Sequence, residues 1–172
     1  MIKYIIIHHT AVSRMLNPDQ WKQTDAYHKQ KFNMLSSLGY WGGYNYEISA
    51  GGSIKQFRAD GEETAAQVGH NKDSISICMD LNGDIEMPTE AQIQALKSLV
   101  RQKMKAYMIL PSNVVSHRRF SPKSCPGKLI SDQWITDLGK IDVPEACITE
   151  KNTIKSLIDY IARWIIGRKF IN

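Results

Sequence analysis

The sequence has few cysteines and no long hydrophobic run. Its three cysteines, Cys78, Cys125 and Cys147, are odd in number and far apart, so they predict no disulfide framework and favour a reducing compartment. No stretch is long and apolar enough to span a bilayer, and the apolar run before His8 is too short for a secretory signal. We therefore expect a protein that is made in the cytoplasm and has a thiol free for chemistry.

The sequence motifs of several common protein classes are also missing. There is no glycine-rich nucleotide-binding motif, no HExxH helix and no repeated zinc-finger spacing. The 172-residue chain is 42% hydrophobic, which is enough for one domain with its own core. Its formal net charge of +5 favours a polyanionic partner, and nucleic acid, anionic lipid and bacterial cell wall all fit that description.

Apolar patterns predict both strands and helices. Short β-branched or alternating runs predict strands over residues 2–7, 44–49, 54–58, 74–79 and 114–116. Helical spacing predicts helices over residues 17–34, 89–107 and 130–138. Asn17 is expected to cap the first of these helices, with Pro18 at its first position, and Thr89 is expected to cap the second.

The chain after residue 138 is predicted to be separate from the main domain, residues 1–138. Residues 139–149, which include Pro144, predict a linker, and residues 150–172 predict an amphipathic helix with a basic edge. Such a helix can dock on the domain, form a dimer contact or lie on a wall or membrane surface. The sequence leaves these roles open.

Two of the predicted strands end at histidines. The first leads into His8 and His9, and the strand over residues 114–116 leads into His117. Side chains alternate across a strand, so only one of His8 and His9 easily faces a given pocket. An irregular loop after His117 carries Cys125, and a histidine of the pair, His117 and Cys125 would supply three ligands to a zinc ion with its fourth position open.

An open position is typical of a catalytic zinc and predicts hydrolysis. Lys123, two residues before Cys125, is placed either to stabilise a developing oxyanion or to be a solvated loop charge. The phenol of Tyr44 would either donate a hydrogen bond in the site or pack on the sheet. Cys78, inside a predicted strand, is expected to be an inert buried thiol.

Four segments, in this order, resemble the type 2 N-acetylmuramoyl-L-alanine amidases, a family that includes bacteriophage lysozyme-type amidases and peptidoglycan recognition proteins. The segments are Ile5-Ile6-Ile7-His8-His9-Thr10-Ala11, Gly43-Tyr44-Asn45-Tyr46, Gly69-His70-Asn71 followed by Ser74-Ile75-Ser76-Ile77, and His117 through Cys125-Pro126-Gly127. They fall within residues 1–138. The segment over residues 32–41 is longer than is common in the family between the first helix and the strand that carries the tyrosine. The C-terminal tail lies outside the match.

The resemblance implies an α/β fold, with a mixed central β-sheet flanked by α-helices and, here, an additional C-terminal amphipathic helix. It implies Zn²⁺ held by His8, His117 and Cys125. The implied reaction is hydrolysis of the amide between N-acetylmuramic acid and L-alanine in bacterial peptidoglycan.

By the same resemblance, Tyr44 and Lys123 match catalytic residues and His70 matches a residue near the substrate groove. Independently of the resemblance, we predict a binding role for Arg118 and Arg119. Their charges would attract stem-peptide carboxylates, and the alternative is a solvated basic loop.

Two further hypotheses compete with a zinc amidase. One is a module that binds peptidoglycan without cleaving it; family members that only bind typically lack the ligand cysteine, so Cys125 favours the enzyme. The other is a basic zinc protein that binds nucleic acid, which would not need an open site, so we expect no nucleic-acid partner. The compact chain without a signal favours a phage endolysin that is made in the infected host and acts on the cell wall.

Overall fold

The computed structural model describes residues 1–140, which contain a five-stranded sheet. The strands are β1 (Tyr4–His9), β2 (Tyr46–Ile48), β3 (Ile54–Gln56), β4 (Ser74–Met79) and β5 (Val114–Ser116). Their order across the sheet is β3-β2-β4-β1-β5. Strand β1 pairs in parallel with β4 and β5, β2 pairs in parallel with β4, and β3 is antiparallel to β2. The predicted mixed sheet is therefore confirmed.

One face of this sheet forms the hydrophobic core. The α-helices of the described residues are α1 (Trp21–Phe32), α2 (Glu90–Tyr107) and α3 (Asp132–Leu138). Alternate strand residues pack with α2 and α3, because every second side chain of a strand points to the same face. The buried residues of this core include Ile5, Ile7, Ile48, Ile75, Ile77, Met79, Leu96, Leu99, Val100, Ile135 and Leu138.

The remaining strand residues point to the other face, where the register places chemically active side chains in a row. His8 of β1 is the register partner of Cys78 of β4, which is in turn the partner of Glu47 of β2. All three are buried. This row lies at the carboxyl ends of the parallel strands, where α/β folds commonly bind ligands.

The predicted start of α1 is wrong. The helix begins at Trp21, four residues after the predicted cap at Asn17, and Gln20 is its N-cap residue. Asn17 Oδ1 instead accepts a hydrogen bond from the Asp19 N–H at 3.1 Å, and the Gln20 side chain donates to the carbonyls of Val12 and Asn17. Side-chain hydrogen bonds to the backbone thus fold this segment into a turn.

Other element ends differ by a few residues. Tyr44 precedes β2, which begins at Tyr46, and β3 ends at Gln56. The predicted linker over residues 139–149 and helix over residues 150–172 lie outside the described residues, apart from the first two. Within residues 1–140, none of the helices combines the length and apolar character needed to cross a membrane.

The predicted cap of α2 is confirmed and gives a stability prediction. The Thr89 side chain accepts a hydrogen bond from the Gln92 N–H, and the Gln92 side chain accepts one from the Thr89 N–H. Thr89→Ala removes one half of this capping box and should lower the free energy of unfolding by about 1 kcal/mol, as measured by urea denaturation. Ser98→Ala, at an exposed position inside α2, is the control. An unchanged midpoint for Thr89→Ala would contradict a stabilising cap.

Candidate metal centre

Parallel pairing of β1 with β5 brings two histidines together. Ile7 is the register partner of Ser116, so His8 and His117 follow side by side at the ends of their strands. Their Nδ1 atoms lie 3.1 Å apart. His8 is buried and His117 is half-buried.

Cys125 completes a cluster of three possible metal ligands. Its Sγ lies 3.8 Å from the His8 Nδ1, and the donor atoms of His8, His117 and Cys125 all lie within 4.8 Å of one another. Two nitrogens bound at about 2.0 Å to a tetrahedral zinc ion lie about 3.3 Å apart, so the separation of the two imidazoles fits such an ion. Imidazole nitrogen and cysteine sulfur are also donors that zinc prefers. The three residues can therefore hold a metal ion, and zinc fits them.

His9 does not join this cluster. It points to the opposite face of β1, and its Nδ1 accepts a hydrogen bond from the Gly83 N–H at 3.0 Å. The structure thus decides which histidine of the pair meets His117, a choice that the strand pattern left open.

The loop that carries Cys125 is held by residues that the sequence analysis missed. Asp84 accepts a hydrogen bond from the Ser124 hydroxyl at 3.1 Å, across 40 residues of chain. A Cβ at Gly83 would lie 2.0 Å from the Pro126 carbonyl oxygen, so this close approach requires glycine. The glycine and aspartate after β4 signal a turn in the sequence, but their contact with a distant loop leaves no local pattern.

The two imidazoles of the cluster are in the protonation state that metal binding needs. Burial lowers the pKa of His8 well below 6.5, and His117 and Lys123 lower it further. Burial, followed by the charge of Lys123, lowers the pKa of His117 to about 4. Both imidazoles are therefore neutral at pH 7, with lone pairs free for a metal. Burial raises the pKa of Cys125 to about 11, so a cation in the cluster is what would favour its thiolate.

Tyr44 lies beside the three-residue cluster. Its ring centroid is 5.2 Å from that of His8 and 5.3 Å from that of His28 on α1. Burial raises the pKa of Tyr44 well above 10, and the neighbouring thiol of Cys78 raises it further. The phenol is therefore neutral and can donate a hydrogen bond. Cys78 is itself fully buried, as predicted.

A cleft of about 370 Å³ opens beside Tyr44. Its lining consists of Thr10, Val12, Gln20, Gln23, Thr24, Tyr27, His28 and Tyr44. Most of these residues belong to α1 or directly precede it, so this helix forms one wall of the cleft. The volume is within the range that admits a small ligand or a segment of a polymer.

Lys123 has an exposed side chain, and its charge acts on the metal centre. It lowers the pKa of both His8 and His117, so its ammonium lies near the predicted ligands. The predicted catalytic role of Lys123 stays a prediction. Its positive charge acts on the cluster with the sign that would stabilise a developing oxyanion.

The Arg118 side chain is used in contacts within the domain. Its guanidinium donates hydrogen bonds to the carbonyls of Gly127 and Ile130 and forms an ion pair with Asp132 at 3.1 Å. Its backbone N–H donates to the Cys125 carbonyl at 3.0 Å. Arg118 therefore holds the ligand loop in place, and its predicted role in substrate binding stays a prediction.

His70 lies away from the cluster. Its Nδ1 is 3.0 Å from an Asp73 carboxylate oxygen, and its ring centroid is 4.1 Å from that of Phe120 and 5.0 Å from that of Tyr4. Tyr4 precedes His8 by four residues on β1, which is about 13 Å along a strand. The predicted substrate-binding role of His70 stays a prediction.

Comparison with known proteins agrees with this arrangement. The family model described as N-acetylmuramoyl-L-alanine amidase matches residues 1–128. Peptidoglycan-recognition protein SC2 of Drosophila simulans is 30% identical over 132 residues, which cover 73% of this chain and 68% of the relative.

Solved structures give the same result. The endolysin N-acetylmuramoyl-L-alanine amidase LysCS from Clostridium intestinale is 27% identical, with a TM-score of 0.65 over 78% of this chain and 80% of that one. Bumblebee PGRP-SA has the same fold at 22% identity, with a TM-score of 0.67 over 83% and 86% of the two chains. On the extent of the family match, this chain belongs to the N-acetylmuramoyl-L-alanine amidase family.

Proposed function

We propose that this protein is a zinc-dependent hydrolase that cleaves the amide between N-acetylmuramic acid and L-alanine in bacterial peptidoglycan. The observation that carries the proposal is the meeting of His8, His117 and Cys125 next to Tyr44 and its cleft, in a chain of the amidase family. When bound at these three residues, zinc supplies Lewis-acid chemistry for amide hydrolysis.

The protein side chains have separate roles in this proposal. The cleft beside α1 receives the substrate and excludes part of the surrounding water. The neutral phenol of Tyr44 donates a hydrogen bond to the amide oxygen as negative charge develops on it. The ammonium of Lys123 stabilises the same charge from the exposed side of the site. His28, whose Nδ1 accepts the Gly43 N–H at 2.8 Å, fixes the backbone just before Tyr44.

A recognition module without catalysis is the second candidate, because the Drosophila relative is a peptidoglycan-recognition protein. The three converging donors support the enzyme, since binding peptidoglycan alone does not require a metal cluster.

The likeness to the Clostridium endolysin supports a lytic role on the bacterial wall, and we propose that role here as well. The excess of basic residues would favour association with an anionic wall.

Peptidoglycan digestion tests the proposal. Purified protein is incubated with insoluble peptidoglycan, and newly released L-alanine amino termini are counted with and without a chelator. The zinc-loaded protein should release them, the chelated protein should not, and added zinc should restore release. Binding to peptidoglycan without any release by the zinc-loaded protein would favour the recognition module and contradict the enzyme.

Lys123→Ala should slow turnover without removing the metal. Loss of one group that stabilises developing negative charge lowers kcat by about 10²-fold, whereas the zinc content stays at the wild-type level because Lys123 is not a ligand. Activity on peptidoglycan and metal analysis of the same sample check both parts. Lys128→Ala is the matched control, because Lys128 is exposed on the same loop and its charge acts on Asp84. Full activity of Lys123→Ala would contradict the catalytic role.

A further inference from the structure

Helix α1 is attached to the rest of the protein mainly by polar contacts. Its buried residue is His28, and its N-cap residue makes no side-chain capping bond. Instead, the Gln20 N–H donates to Asp80 Oδ2 at 2.7 Å. Further along the helix, Asp25 Oδ1 accepts the N–H groups of Trp41 and Gly42 at 2.6 and 2.9 Å. The first turn of this wall of the cleft therefore depends on the Asp80 carboxylate.

Asp80 lies against a second buried carboxyl group, that of Glu47 on β2. Glu47 is 1% exposed and Asp80 is fully buried. Both Glu47 oxygens and Asp80 Oδ1 are buried and have no hydrogen-bond partner within the described residues. Both side chains line a small cavity of about 150 Å³ near the start of α1. Two ionised carboxylates buried next to each other would repel strongly, and a proton or another cation between them would remove that repulsion.

One shared proton removes the repulsion between the two carboxyl groups. Burial, and then the contact with Asp80, raises the pKa of Glu47, and burial also raises that of Asp80. A neutral Glu47 at pH 7 would have a proton to donate to Asp80, which accepts the Gln20 N–H through its other oxygen.

The titratable groups that face this pair include one cation, the ammonium of Lys55, which is the register partner of Glu47 on β3 and makes no ion pair with Glu47 or Asp80 within the described residues. They are Asp19, Lys55, Cys78 and Tyr44. The Lys55 ammonium lies 3.7 Å from the ring centroid of Tyr40 and 4.4 Å from that of Trp21, in contact with aromatic rings.

We propose that Glu47 and Asp80 share one proton and together hold the first turn of α1 against the sheet, which makes them positioning residues for substrate binding in the cleft. The kinetic part of this inference rests on the proposed function. The hydrogen bond from the Gln20 N–H links the pair directly to the start of α1, whereas neither residue belongs to the metal-ligand cluster, so we expect the main effect on the wall of the cleft. Losing the shared proton should loosen the wall and weaken substrate binding.

Kinetics on a soluble muramoyl peptide test this role. Glu47→Leu leaves Asp80 without its donor and should raise KM about tenfold with little change in kcat, because binding is weakened before the chemical step. Glu47→Gln keeps an N–H donor toward Asp80 and should restore most of the affinity. A fall in kcat with an unchanged KM would place Glu47 in the chemical step and overturn the proposal. So would equal kinetics for Glu47→Leu and the wild-type protein.

Amide hydrogen exchange without substrate tests the structural part, whether or not the protein is an amidase. Glu47→Leu should speed exchange in α1 about tenfold relative to wild type while α2 stays protected, and Glu47→Gln should exchange no faster than wild type. Unchanged protection of α1 in Glu47→Leu would overturn the proposal.

Calcium chloride is then added to the wild-type protein. Slower exchange in α1 after calcium is added would mean that a metal cation, and not a proton, bridges the pair. That result would also overturn the proposal.

Discussion

Replacing Cys125 by serine is expected to remove bound zinc and amidase activity together. The thiolate is the anionic ligand of the three, and a serine hydroxyl at the same place is a poor substitute for it. Loss of the Lewis acid removes several kcal/mol of transition-state stabilisation, so hydrolysis should fall by about 10³-fold or more. Metal analysis and the release of L-alanine amino termini, measured on the same preparation, check the two losses.

A second cysteine variant serves as the control for metal content. Cys78 is buried one strand away from His8, and its thiol lies outside the three-residue cluster. Cys78→Ala should therefore keep zinc at the wild-type level. If Cys125→Ser retained zinc, the ligand assignment would be wrong. If it lost zinc and still released L-alanine termini, the hydrolysis would not depend on the metal.

The metal ligands were predictable from sequence because each lies next to a strong local pattern. The apolar run before His8 and the short run before His117 both predict buried strands, and the prolines after His117 predict a loop that can fold back with Cys125. The strand pattern could not choose between His8 and His9, since that choice depends on the register of β1 against β5 and on the face to which His117 points. The structure makes the choice through the pairing of Ile7 with Ser116.

The error at α1 and the omission of Glu47 have a related physical cause. The helical spacing of Trp21, Tyr27 and His28 predicted this helix, but α1 is held by polar contacts with other parts of the chain. A single glutamate in an alternating strand is read as a solvent-facing residue. The register between β2 and β4 instead places Glu47 beside Cys78, beneath α1. Both features depend on long-range pairing, which has no local signature.

The burial of Glu47 makes the stability of the protein depend on pH. Its pKa is raised from 4.5 to about 9 in the folded protein, first by burial and then by Asp80. The folded state therefore keeps a proton that the unfolded chain releases above pH 4.5, and the contribution of Glu47 to the free energy of unfolding falls as pH rises from 4.5 to about 9. Below pH 6.5 the histidines His8, His28 and His117 contribute in the opposite direction, because their pKa values are lowered in the folded protein. At ~1.4 kcal/mol for each pH unit, the loss from Glu47 between pH 4.5 and pH 7 is about 3 kcal/mol.

Glu47→Gln is therefore expected to raise the free energy of unfolding at pH 7 by as much as about 3 kcal/mol and to flatten its dependence on pH. Glutamine keeps a donor toward Asp80 and has no proton to lose. Urea unfolding of both proteins at several pH values between 4.5 and about 9 measures the two slopes. Glu63→Gln, at a half-exposed carboxyl on the surface, is the control and should keep the wild-type slope. Equal pH dependence of the two proteins would contradict a neutral Glu47, because the histidines contribute equally to both and only Glu47 differs.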